Sequence, residues 1–94
     1  MKLRYTPRAR FDLAEIHEYI SQENPQAARR VIQIIRKAAE TLLQNPLTGR
    51  MGRVAGTREL PVGRFPFLLA YRVDTNEVQI LSVIHTARMW PENF

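Results

Sequence analysis

Apolar positions in this chain recur with two different periods. Ala9, Leu13, Ile16 and Ile20 fall at i, i+4, i+7 and i+11, one stripe of a helix. Ala28, Val31, Ile35, Ala38 and Leu42 repeat that pattern, and Ile32, Ile34 and Leu43 widen it. Each helical stretch opens with a hydroxyl or amide cap followed by proline, Thr6-Pro7 and Asn24-Pro25. Ser21 to Asn24 breaks the first helix, and Asn45-Pro46 ends the second, because proline disfavours helical geometry in the residue before it. So short a break predicts an antiparallel helical hairpin. Asp12, Glu15, Glu18, Arg8 and Arg10 take the outer positions of the first helix and read as a solvated face.

Beyond residue 57 the period shortens. Arg58 to Leu60 is a short strand, and Pro61-Val62-Gly63 turns the chain. Phe65 to Val73 and Val78 to His85 are strand-like runs joined by Asp74, Thr75 and Asn76, residue types that tolerate turn geometry. Alternation sends Leu68, Ala70 and Arg72 one way and Phe67, Leu69, Tyr71 and Val73 the other; on the next strand Leu81, Val83 and His85 oppose Val78, Ile80 and Ile84. Lys2 to Tyr5 adds a short first strand. The order β-α-α-β-β-β predicts an α+β fold with the helical hairpin on one face of a small, mostly antiparallel sheet. The opposite sheet face then has no helix to cover it and, being partly apolar, is expected to bind something. Between Pro46 and Arg58, three of the four glycines and two arginines predict a mobile basic loop.

Ninety-four residues make one domain, 1–94. With no cysteine there is neither a disulfide framework nor a thiolate metal site, and His17 and His85 lack metal-ligand spacing, so no metal or cofactor is expected. No apolar run reaches the roughly 18–20 residues of a membrane span, and no signal-peptide core follows Met1; a cytoplasmic protein is expected. The net charge of +5 is carried by twelve arginines and two lysines. Arginine's planar fork suits phosphates, carboxylates and interfaces, so an acidic partner is expected. Arg50, Arg53, Arg58, Arg64 and Arg72 cluster with only Glu59 among them, an electropositive rim for such a partner. Arg88 and Trp90 are residue types enriched at interface anchors. His85, ending the last strand, is either a strand-end packing residue or a general acid/base.

Several segments carry a family resemblance that spans nearly the whole chain. They are Tyr5-Thr6-Pro7-x-Ala9, Glu59-Leu60-Pro61-Val62-Gly63, Leu69-Ala70-Tyr71-Arg72-Val73, and Ile80 through His85-x-x-Arg88. Together with the element order they resemble the RelE/ParE superfamily of type II toxin–antitoxin toxins, the ParE branch in particular. The resemblance implies a toxin that inhibits DNA gyrase by binding, is neutralised by a ParD-like antitoxin, and meets operator DNA mainly through that antitoxin. The RelE-like alternative is a metal-independent endoribonuclease that cleaves ribosome-bound messenger; its catalytic set here would be Arg64, Arg72, His85 and Arg88. RelE-like nucleases carry an arginine three residues before the strand tyrosine, where this chain has Leu68. Leucine cannot donate to a phosphate, so Leu68 favours the binding mode. The target- or antitoxin-binding residues expected under it are Arg50, Arg53, Arg58, Arg64, Arg72, Arg88 and Trp90.

Overall fold

Both helices begin where their caps place them. The Thr6 hydroxyl accepts the Ala9 N–H at 3.2 Å, and the Asn24 amide oxygen accepts the Ala27 N–H at 3.0 Å. In the computed structural model, which describes residues 1–87, α1 spans Pro7–Ser21 and α2 Pro25–Thr41. Five strands make one sheet: β1 Lys2–Tyr5, β2 Arg50–Met51, β3 Arg58–Pro61, β4 Phe67–Val73 and β5 Glu77–His85, in the spatial order β1-β5-β4-β3-β2. β1 runs parallel to β5, and every other pairing is antiparallel.

The helices cover one sheet face. Ala9, Leu13, Ile35, Ala39 and Leu42 meet Phe67, Leu69, Tyr71, Val78, Ile80 and Val83 in one buried cluster. Ile35, Leu42, Leu69, Ile80 and Val78 are each fully enclosed, worth about 1.5–3 kcal/mol apiece in apolar burial. Truncating Leu69 to alanine would remove that burial and leave a cavity, at about 2–5 kcal/mol.

Four expectations from the sequence change. First, strict alternation fails on β5. Pairing passes from Tyr71 with Ile80 to Ala70 with Ser82, so Leu81 is an extra residue and the strand is bulged. Val83 consequently joins Val78 and Ile80 under the helices, while Ile84 joins Leu68 and Ala70 on the other side.

Second, Asp12 belongs to the interior. It is 8% exposed, and its carboxylate accepts the Ser82 hydroxyl at 2.6 Å and the Val83 N–H at 2.9 Å. Arg8 donates to its other oxygen at 3.1 Å. A bulge disrupts the local ladder, and Asp12 supplies the acceptor that a neighbouring strand would otherwise provide.

Third, the segment expected to be a mobile basic loop is largely tied down. It contains β2, which pairs Arg50 with Glu59 and Met51 with Arg58, and the Gly52 N–H donates to the Thr57 carbonyl at 2.8 Å. The buried Tyr71 hydroxyl donates to the Pro46 carbonyl at 2.7 Å and accepts the Gly49 N–H at 2.8 Å. A side chain at Gly49 would lie 2.6 Å from that hydroxyl and 2.8 Å from the Glu59 carbonyl oxygen, which explains the glycine. Fourth, the helix-free sheet face is not an open apolar surface, because Leu68, Ala70 and Ile84 are all buried there.

Candidate functional site

Open apolar surface gathers instead on the helix side, between α1 and the Phe67 and His85 ends of β4 and β5. A groove of about 530 Å³ lies there. Ile16, Val31, Phe67 and Val83 supply its apolar lining, Tyr19 and Phe65 stand at its margin, and Glu15 with Asp12 makes its acidic side. Tyr19 is 75% exposed and Phe65 39%. Water gains little from either ring, so burial by a partner would be favourable, and aromatic side chains beside a pocket are common interface anchors.

The β5 bulge puts His85 on this side. Its ring meets Phe67 edge to face, with centroids 5.4 Å apart and planes at 88°. Nδ1 accepts the Ala87 N–H at 3.1 Å, which leaves Nε2 for a ligand. Among the described residues no carboxylate hydrogen-bonds to His85, so an imidazole oriented by an acid is not built here.

The expected arginines divide into separate groups. Arg64 is exposed in the β3–β4 turn, beside Phe65 and at the same sheet end as His85. Arg58 points its guanidinium at the Gly49 carbonyl, 2.8 Å, and the Leu47 carbonyl, 3.4 Å, which makes it a clamp for the preceding segment. Arg50 pairs with Glu59 at 3.2 Å, and the Arg53 N–H donates to the other Glu59 oxygen at 3.2 Å. Arg72 donates to Gln79 at 3.3 Å on the sheet face away from the helices. Gln79 in turn donates to Glu77 at 2.6 Å, and Arg4 to the same oxygen at 3.2 Å. Those two donors hold the Glu77 carboxyl below its ordinary pKa, the Gln79 amide more than Arg4.

The nuclease set is therefore not assembled by the described residues. Phe67 pairs with His85, and Arg72 lies five residues farther along β4, about 17 Å at the rise of a strand. The two side chains also belong to opposite faces. Arg64 and His85 share one end of the sheet, whereas Arg50, Arg53 and Arg58 lie toward its other edge. Arg88 and Trp90 lie outside the described residues. Sequence reasoning missed the groove and its aromatic margin. One signal was present: Tyr19 is a large aromatic side chain that falls off the buried stripe of α1 and is exposed. Among the described residues no three His, Asp or Glu side chains gather as a metal site, and no helix is long and apolar enough to cross a membrane.

Comparison with known proteins agrees with this architecture. Residues 3–90 match the family described as the ParE toxin of the type II toxin-antitoxin system parDE. A Sinorhizobium fredii protein, Y4kP, whose designation as a toxin is provisional, is 40% identical over 91 residues, covering 97% of this chain and 94% of that protein. Toxin RelE2 of Caulobacter vibrioides is 38% identical over 85 residues, covering 90% of this chain and 94% of the relative. A chain in the structure of the chromosomal ParDE toxin–antitoxin system from P. aeruginosa superposes with a TM-score of 0.81 at 33% identity, covering 90% of this chain and 95% of that one. The two-helix, five-strand fold is thus that of the RelE/ParE toxins, and this chain belongs to the ParE toxin family of type II toxin–antitoxin systems.

Proposed function

We propose that this toxin acts by binding DNA gyrase, and that a ParD-like antitoxin silences it by laying an apolar segment along the groove beside α1. The match to the ParE toxin family over residues 3–90 carries the reading of the target. The groove supports the reading of the antitoxin: an apolar channel with exposed Tyr19 and Phe65 at its margin suits a segment that orders on binding. Acidic residues of such a segment would meet Arg64 at the sheet end, with Arg88 and Trp90 next in the chain. Arg50, Arg53, Arg58 and Arg72 are engaged internally to different degrees, and Arg50, Arg53 and Arg72 keep exposed surface for a partner. Operator DNA would be met mainly through the antitoxin. A gyrase poison would act in the cytoplasm and require no cofactor.

A RelE-like endoribonuclease is the second reading, favoured by the likeness to toxin RelE2. Under it Arg64, His85 and Arg88 would act on the messenger, with Arg72 too far from His85 to join them in one step. Two assays on the purified toxin separate the readings: gyrase supercoiling with a cleavage readout, and translation with primer extension on the messenger. Trapped gyrase–DNA cleavage with intact messenger is the expected result. Codon-positioned messenger cleavage with unaffected gyrase would overturn the gyrase reading.

A further inference from the structure

The outward face of α2 carries a charge pattern that neither the fold nor the groove uses. Its exposed residues include Arg29, Arg30, Gln33, Arg36 and Lys37, with Glu40 the one acid among the exposed positions of the helix. Arg29 and Arg36 lie in one row and Arg30 and Lys37 in a neighbouring row, each pair seven residues apart. The four cations therefore mark the corners of a rectangle about 10 Å long, with Gln33 between them. Arg30, Gln33, Arg36 and Lys37, with the half-buried Ile34 and with Glu40, line a shallow depression of about 530 Å³. The Arg36 guanidinium is already positioned, lying 5.5 Å over the Tyr5 ring.

This pattern does not serve the helix. Favourable placement sets acids in the first turn and bases in the last. Here the first turn has no acid and the last turn no base, while two arginines lie in the N-terminal half and Glu40 lies in the final turn. Nor do the cations serve as ion-pair partners: among the described residues, none of Arg29, Arg30, Arg36 and Lys37 has an ion pair.

We propose that this face of α2 is a sequence-independent docking surface for the phosphate backbone of duplex DNA. The layout suits such a backbone, since four long cationic side chains at separate corners of one helix face can each reach a different phosphate. The chemistry favours DNA over an acidic protein. Protein interfaces place aromatic or aliphatic anchors at their centre, whereas the exposed centre here is Gln33, an amide that can donate to a phosphate or sugar oxygen. The toxin itself would then hold DNA, independently of its target and of any antitoxin, through a surface separate from the groove.

The test is fluorescence anisotropy of the full-length toxin with an arbitrary labelled duplex of about 20 bp, titrated between about 50 and 200 mM salt. Wild-type protein should bind with an affinity that falls steeply with salt. The triple variant Arg29→Gln, Arg30→Gln, Lys37→Gln should lower the log–log salt slope by about 2.7, roughly 0.9 for each phosphate contact removed. Each single variant should lower it by about 0.9. Glutamine forms helices well, so the helix should persist, and a circular-dichroism melt checks that it does. Removing Lys2 and Arg10, cations outside this face, should leave the slope nearly unchanged. An unchanged slope in the triple variant, or an equal loss in the Lys2/Arg10 variant, overturns the assignment. So does binding of poly-L-glutamate through the same residues by a toxin that ignores the duplex, which would make the face a site for acidic protein.

Discussion

Replacing Asp12 by alanine tests how the fold tolerates its bulged central strand. The wild-type carboxylate meets the Ser82 hydroxyl, the Val83 N–H and the Arg8 guanidinium. Without it, the Val83 N–H loses its acceptor in a region where Ser82 is 1% and Val83 4% exposed. A buried donor left unsatisfied costs about 1–3 kcal/mol. The Ser82 hydroxyl can rotate toward another acceptor and should add less than the backbone group. The exposed Arg8 pair adds little. The expected loss is therefore about 2–4 kcal/mol, a large part of the 5–15 kcal/mol typical of a domain, and about 10–25 °C in melting temperature for a chain this size. Urea unfolding followed by circular dichroism would read it as a lower midpoint at constant slope. Asp12→Asn keeps one acceptor oxygen and should fall between. Ser82→Ala on the Asp12→Ala background should cost less than on the wild type, because the hydroxyl is already unpaired. A loss below about 0.5 kcal/mol for Asp12→Ala would refute the reasoning and show that water or a backbone shift satisfies Val83.

Three further outcomes follow from the same geometry. Tyr71→Phe should destabilise by about 1–3 kcal/mol, because the Gly49 N–H and Pro46 carbonyl lose their partner. Burial raises the Tyr71 pKa above its ordinary 10.0, so its neutral form contributes stability below that value that is lost as pH rises through the raised one. Urea midpoints should drop at alkaline pH in the wild type and drop less in Tyr71→Phe, with Tyr5, also raised by burial, keeping its own share. Gly49→Ala should cost about 1–3 kcal/mol in the same assay, since its methyl group would press on the Tyr71 hydroxyl and the Glu59 backbone. Tyr19→Ala and Phe65→Ala should shift stability by no more than about 1 kcal/mol, yet weaken antitoxin association about tenfold each in calorimetric titration; unchanged association would move the antitoxin away from the groove.

Most of the architecture was legible because its signals are local. Thr6-Pro7 and Asn24-Pro25 mark helix starts within a few residues, and Asp74 to Asn76 marks the central turn. What stayed hidden depends on partners far along the chain. Asp12 reads as a surface acid because the Ser82 and Val83 groups that bury it are about 70 residues away. The bulge is silent because β5 is apolar on both faces, so an extra residue leaves no gap in its pattern. β2 is two residues long and rich in neither aromatic nor β-branched side chains. The arginine cluster was visible as composition, but its division among Glu59, backbone carbonyls and Gln79 required the register of β2 to β5. The groove was least visible, since its lining is drawn from α1, α2, the β3–β4 turn, β4 and β5 rather than from any one segment.

The parallel pairing of β1 with β5 has a consequence for biosynthesis. Lys2 to Tyr5 find their sheet neighbours only at Glu77 to Ile80, and the Thr6 hydroxyl bonds to the Leu81 carbonyl. A ribosome making this chain can release a helical hairpin early, because its contacts are local. The sheet that carries His85 lacks β5, the strand that joins β1 to β4, until synthesis has passed residue 85. A product terminated before β5 would have the α1 side of the groove without Val83 and His85 opposite it. The cell therefore meets the working form of this toxin all at once, when nearly the whole chain has emerged, and a neutralising partner that reads the groove has nothing to grip before then.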